Sequence, residues 1–142
     1  MKKMICLIAV ALMVASVALA APKMAITAKD LPGLKGTYEG ILGFGAFEGA
    51  TSPAKLEILN DTVPVKVKFT ITNVPQQIAN QIGVQQGQNV YQGEGVLTTQ
   101  GTLFFTGDLK NFMEISLTAK DKIHIWYMYN VMKGDGSFKK KK

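Results

Sequence analysis

The residues that could perform chemistry in this chain are few, and His124 is its only histidine. Ser116 falls on the same face of a predicted hairpin as His124, but neither Ser116 nor Ser52 nor Ser137 lies in a nucleophile-elbow motif. A single histidine excludes the usual multi-histidine metal sites, and the only cysteine, Cys6, lies in an N-terminal apolar run. We therefore expect no catalytic residue, no metal site and no cofactor, and a structural or surface role for His124.

Carboxylates offer the other route to catalysis. Glu39, Glu48 and Glu94 lie in or beside glycine-rich apolar stretches and could face the mouth of a barrel. Acid–base chemistry needs two such groups at a fixed separation, which nothing in the sequence sets. The run Lys133–Gly136 contains Asp135 but lacks the further acidic ligands of a calcium loop, so it predicts a tight turn. These patterns favour solvent-exposed acids, and we predict that the protein is not an enzyme.

The first twenty residues predict where the protein works. Lys2 and Lys3 precede an uncharged run that ends at Pro22, and the small residues Ala18 and Ala20 form a signal-peptidase site. We predict a bacterial-type signal peptide over residues 1–20, cleaved after Ala20, and export to the periplasm or the exterior. The alternative is a retained membrane anchor, because the run approaches the ~20 apolar residues that span a bilayer.

Charge is distributed unevenly along the predicted mature chain. Residues 21–138 carry ten lysines and ten acidic residues, so the net positive charge comes from Lys139, Lys140, Lys141 and Lys142. A nucleic-acid binder should spread basic residues over one face, so we expect no nucleic-acid partner. We predict a single β domain over 21–138 and a disordered, solubilising lysine tail over 139–142. The alternative for this tail is peripheral contact with an anionic membrane surface.

Alternation of apolar and polar residues predicts the strands. Period-two patterns occur in Ala54–Leu59, Val63–Val74 and Met113–Thr118, and Ile123–Val131 reads as the strand returning from the last of these. Thr37–Phe47 and Val90–Thr106 are two further apolar stretches that glycines interrupt. Because glycine permits the sharp bends that a closing sheet needs, these stretches favour a barrel over a flat sheet.

One segment has the pattern of a helix. Over Asn73–Gly83, Val74, Ile78 and Ile82 recur at every fourth residue, Pro75 lies in the first turn and Gly83 follows the end. We predict a short helix over one end of the barrel, either as a plug or as a lid over a ligand cavity. The predicted fold is all-β: a small antiparallel barrel or strongly coiled sheet with one short helix.

The run Leu34–Gly40 resembles the opening of calycin-type barrels: the lipocalins, fatty-acid-binding proteins and avidin-like proteins, in which Gly-x-Trp or Gly-x-Tyr begins the first strand. The matching residues here are Gly36 and Tyr38. The resemblance implies a small barrel with Tyr38 at its closed end, and it implies a carrier function. Lipocalins and fatty-acid-binding proteins usually pack an arginine from near the chain end on that aromatic residue, whereas this chain contains no arginine.

The predicted strand Ile123–Val131 is apolar on both faces, since Ile125 and Tyr127 alternate with His124 and Trp126. A strand buried on both faces needs a second cover. Three covers are possible: the N-terminal segment Met24–Leu34, a protein partner or second copy, or a bound apolar ligand. The adjacent residues Phe104 and Phe105 pose the same question.

These patterns favour non-enzymatic binding of a small apolar or amphipathic molecule in the cell envelope. A mostly apolar pocket with few polar anchors is typical of such proteins. The predicted ligand-binding residues are Tyr38, Phe104, Trp126, Tyr127 and Tyr129. The alternative is an envelope protein–protein interaction or structural module that uses the apolar strand 123–132.

Overall fold

Eight antiparallel strands close into a barrel in the computed structural model, which describes residues 23–107, 111–130 and 132–142. Each strand pairs with its neighbours in chain order, and the last strand pairs with the first. The strands are β1 (Gly36–Phe44), β2 (Thr51–Ile58), β3 (Val65–Ile71), β4 (Asn89–Leu97), β5 (Leu103–Thr106), β6 (Asn111–Ala119), β7 (Lys122–Tyr129) and β8 (Met132–Lys140). The predicted small antiparallel barrel is confirmed, while the predicted signal peptide lies outside the described residues.

Alternation places the apolar face of each strand inside the barrel. Leu56 on β2 and Phe69 on β3 are buried opposite each other, while Lys55 and Lys68 point outward. The interior is filled by large side chains, because eight strands enclose a space just wide enough for them. The largest fully buried residues are Tyr38, Phe69, Phe105, Phe138, Leu42 and Leu56.

Helices cover both ends of the barrel. A 3-10 turn over Ala28–Asp30 leads into α1 (Leu31–Leu34), which buries Leu31 and Leu34 at one end. The predicted helix is confirmed at the other end as α2 (Gln76–Ile82), which ends at Gly83 in the left-handed conformation. Among the described residues, no helix is both long and apolar enough to cross a membrane.

The sequence prediction missed two features of the strand pattern. The stretch Val90–Thr106 contains both β4 and β5, separated by a tight turn in which the Thr98 and Thr102 hydroxyls lie 2.7 Å apart. The run Lys133–Gly136, predicted to be a turn, instead lies within β8. A Cβ at Gly136 would overlap the carbonyl oxygen of Ile41, so close packing against β1 accounts for this glycine.

The predicted disordered lysine tail is wrong for its first three residues. Lys139 and Lys140 belong to β8, and the Lys141 amide donates a hydrogen bond of 2.8 Å to the Thr37 carbonyl. The Lys141 ammonium lies 2.8 Å from a Glu39 carboxylate oxygen. Pairing with β1 therefore orders this segment and makes it part of the barrel wall.

Candidate functional site

The α2 end of the barrel contains two small cavities on either side of a tyrosine pair. Tyr91 and Tyr127 line both of them. The cavity beside α2 has a volume of about 10 Å³ and is bordered by Val74, Ile82 and Tyr129. The other has a volume of about 20 Å³ and extends towards β4 and β6, where Gly93 and Phe112 border it. Since a water molecule needs roughly 10–15 Å³ on this measure, each cavity can hold about one water at most.

Aromatic rings form a continuous series from the core to this end. The Phe69 and Tyr127 ring centroids lie 5.2 Å apart, those of Tyr127 and Tyr91 5.8 Å, and those of Tyr91 and Tyr129 5.6 Å. The register explains the series, because Phe69 on β3 pairs with Tyr91 on β4 and both side chains point inward. Tyr91 and Tyr129 are partly exposed. The series therefore runs from the buried core to the solvent-exposed end of the barrel. Such an environment suits an amphipathic molecule.

Apolar burial holds α2 on the barrel. Ile78 is fully buried, and Val74 and Ala79 are nearly so. Within the described ranges, two side-chain hydrogen bonds join this segment to the barrel: the Asn130 amide donates to the Ile82 carbonyl at 3.3 Å, and the Ser52 hydroxyl donates to the Asn73 carbonyl at 3.4 Å. Both bonds are long, so α2 can leave the barrel at little cost in hydrogen bonding.

The opposite end of the barrel is closed around Tyr38. The Tyr38 hydroxyl donates a hydrogen bond of 2.9 Å to the Leu34 carbonyl. The Lys140 ammonium lies 5.9 Å from the Tyr38 ring centroid and donates a hydrogen bond of 2.6 Å to the Gly33 carbonyl. Burial, with a smaller contribution from the Asp121 charge, raises the pKa of Tyr38 to about 12. A lysine thus occupies the place where the calycin resemblance leads one to expect an arginine, a role that sequence reasoning missed by assigning Lys140 to a tail.

The five predicted ligand-binding residues do not form one site. Tyr127 and Tyr129 lie at the α2 end and border the cavities. Tyr38 lies at the other end and does not border these cavities. Phe104 and Trp126 lie on the outside of the barrel, because their strands turn Phe105 and Ile125 into the core. Tyr91 was missed because its strand lies in a stretch interrupted by glycines.

On the outside of the barrel, Phe104, Phe112 and Trp126 form a continuous row that we call the outer aromatic strip. Ring centroids lie 5.7 Å apart between Phe104 and Phe112 and 5.3 Å apart between Phe112 and Trp126. Lys23 lines the same surface groove as Trp126 and directly precedes Met24–Leu34, one of the three possible covers. The backbone of that segment bonds to Leu117 and Gly101, and its helix closes the α1 end.

His124 lies partly exposed on the outside of the barrel, whereas the candidate serines Ser52 and Ser116 are buried. His124 pairs across the strands with Ser116, and its Nε2 lies 3.4 Å from an Asp135 carboxylate oxygen. In the part of the chain that the structure describes, no side-chain hydrogen bond joins Ser116 to His124, and no cluster of three or more His, Cys, Asp or Glu could hold a metal ion. The three glutamates are exposed and scattered over β1, the β1–β2 connection and β4.

Comparison with known proteins supports the fold. No family model matches the chain, and no curated protein is significantly similar to it in sequence. Among solved structures, a de novo designed fluorescence-activating β-barrel is similar, with a TM-score of 0.55 over 79% of this chain and 97% of that one. Sequence identity is 11%, so the likeness is one of fold. The chain is therefore similar to a small designed barrel, while its predicted relation to calycins stays a prediction.

Proposed function

We propose that this protein binds a small apolar or amphipathic molecule at the α2 end of the barrel, without catalysing a reaction on it. The observation that carries this proposal is the series of Tyr91, Tyr127 and Tyr129 around two cavities, beneath a short helix held mainly by apolar contacts. Large apolar surfaces with a few hydroxyl groups are typical of small-molecule sites.

Binding requires α2 to open, because the closed cavities are smaller than any such ligand. Opening removes Ile78 and Ile82 from the mouth of the barrel and leaves apolar space in front of Tyr127. Burial of one isoleucine side chain contributes about 1.5–3 kcal/mol. A ligand of comparable apolar area can therefore replace the helix at the mouth without a large net cost.

The architecture is consistent with this role. Eight-stranded up-and-down barrels include the lipocalins, and barrels of this size can hold one small ligand. The designed barrel is described as fluorescence-activating, which lends support through shape alone. The predicted signal peptide places the proposed binding in the cell envelope or outside the cell, and the intact mass of purified mature protein tests this. A mass that begins at Ala21 supports export, and a mass that retains residues 1–20 contradicts cleavage.

The test is a titration with the neutral fluorescent probe N-phenyl-1-naphthylamine, with saturable binding of one probe per protein expected. Ile78→Ala weakens the closed state, so we expect the apparent affinity to rise about tenfold as the open population grows. Asn80→Ala, on the exposed side of the same helix, is the matched control and should leave the affinity unchanged.

A second control separates the interior from the outer surface. Trp126→Ala removes the largest ring of the outer aromatic strip and should leave probe binding intact. If Trp126→Ala loses probe binding while Ile78→Ala binds the probe with wild-type affinity, the probe binds outside the barrel and the proposal is overturned. Absence of saturable binding in both wild type and Ile78→Ala would overturn it as well.

A further inference from the structure

The outer aromatic strip belongs to one side of the barrel. Val96 on β4, 50% exposed, pairs with Phe104, and Phe112 pairs with the half-buried Met128. Five apolar side chains from four consecutive strands therefore form one outward surface. Val96 is exposed and the other four are partly exposed, and contiguous exposed apolar patches are the surface feature that marks interaction sites.

The opposite side of the barrel has a different character. The outward residues of β2 and β3 are mainly charged: Lys55, Glu57, Lys66 and Lys68. Lys55 and Glu57 form an ion pair at 3.5 Å. Ile41, Leu59 and Val63 are also exposed on or beside β1 to β3, but the contiguous row of aromatic rings is confined to β5 to β7.

Charges of both signs border the strip. Trp126 pairs across the strands with Glu114 on one side and with Asp135 on the other. Lys133 on β8 pairs across the strands with Met128 on β7. Lys23 borders the same surface groove as Trp126 and Glu114. A lipid surface would disfavour the carboxylates of Glu114 and Asp135. The same strip on a second copy of the chain would offer a lysine to each carboxylate and would pack its aromatic rings against the rings of the first copy.

We propose that a second copy of this chain docks on the outer aromatic strip, through a two-fold contact in which each strip packs against the other. In such a contact each surface must be complementary to itself, and a strip bordered by both acids and lysines meets that condition. Aromatic residues and methionine are also enriched in interface cores. The proposal does not depend on the proposed ligand, because it uses the outer side of the barrel wall.

Sedimentation equilibrium over a concentration series tests the proposal. We expect a monomer–dimer equilibrium in the wild-type chain. Trp126→Lys should raise the dimer dissociation constant about 30-fold or more, as loss of a central aromatic anchor does. Lysine is chosen because Glu114 and Asp135 flank the position, so the new charge is accommodated in the folded monomer. Leu59→Lys is the matched control: Leu59 follows β2 on the opposite side and is 51% exposed.

Phe104→Lys is a second variant, since it also pairs with Glu114 and removes a different ring of the strip. Circular dichroism and thermal melting of both variants establish that the fold is retained. Weakened association in both variants, with Leu59→Lys unchanged, supports the proposal. A wild-type chain that stays monomeric throughout the series, or a dimer that neither folded strip variant weakens, overturns it. Binding of the wild-type monomer to phosphatidylglycerol vesicles through the strip would instead assign the surface to lipid.

Discussion

Tyr38 provides the clearest link between one residue and the stability of the barrel. Its pKa in the fold, about 12, exceeds the value near 10 of an unfolded tyrosine, so folding favours the neutral hydroxyl. This contribution to stability is fully present below about pH 10 and is lost as the pH rises towards 12.

We expect Tyr38→Phe to lower the free energy of unfolding by about 1 kcal/mol at neutral pH, through loss of the hydrogen bond to the Leu34 carbonyl. The variant should also lose less stability than wild type above pH 10. Urea titrations at several pH values measure both effects, and parallel pH profiles would contradict the assignment.

Glycines offer a second test at the same scale, because only some of them are required by packing. A Cβ at Gly95 on β4 would overlap the Phe105 ring, whereas one at Gly87 meets nothing within 4 Å. We expect Gly95→Ala to destabilise the protein by about 1–3 kcal/mol through overpacking. Gly87→Ala, the matched control, should change stability by less than about 0.5 kcal/mol. Shifts of the urea midpoint measure the difference, and equal shifts would show that the Phe105 ring moves aside freely.

At the scale of the elements, strands in which apolar and polar residues alternate could be predicted from the sequence. Strands whose residues are explained only by packing against another strand could not. Ala54–Leu59 and Val63–Val74 read as strands because each has one wet face, and α2 could be predicted from its four-residue period and Gly83. β8 was missed because Gly134 and Gly136 read as a turn, while in the fold they make room for Leu42 and Ile41 of β1. Local sequence does not encode such a contact between the two ends of the chain, and the same holds for Lys140 over Tyr38.

The weak attachment of α2 leads to a prediction for this element. If apolar contacts hold it, it should open locally without unfolding of the barrel. We expect the amides of Ile82 and Gly83 to exchange with deuterium at least tenfold faster than the core amides of β1 and β2, and Ile78→Ala to accelerate the α2 amides alone. Hydrogen exchange followed by NMR measures both. Equal protection of α2 and β1 in wild type would show that α2 opens only with the whole barrel, and it would remove the basis for a lid.

At the scale of the whole molecule, the two proposed contacts lie on opposite sides of one barrel wall and meet at a single residue. Phe112 borders the 20 Å³ cavity and also packs against Trp126 in the strip. Changes at separate, non-contacting positions should act independently, whereas a shared residue should affect both activities. We therefore expect Ile78→Ala to change only probe affinity, Trp126→Lys only dimerisation, and Phe112→Ala both.

Combining the variants tests this arrangement directly. The effects of Ile78→Ala and Trp126→Lys should add in the double variant to within about 0.5 kcal/mol in each measured free energy. Probe titration below the dimer dissociation constant and sedimentation equilibrium without probe provide the two readouts. If Trp126→Lys alters probe affinity as strongly as Phe112→Ala does, the wall of the barrel transmits changes between its faces. Dimerisation and ligand binding would then be linked, with each raising or lowering the other by the same factor.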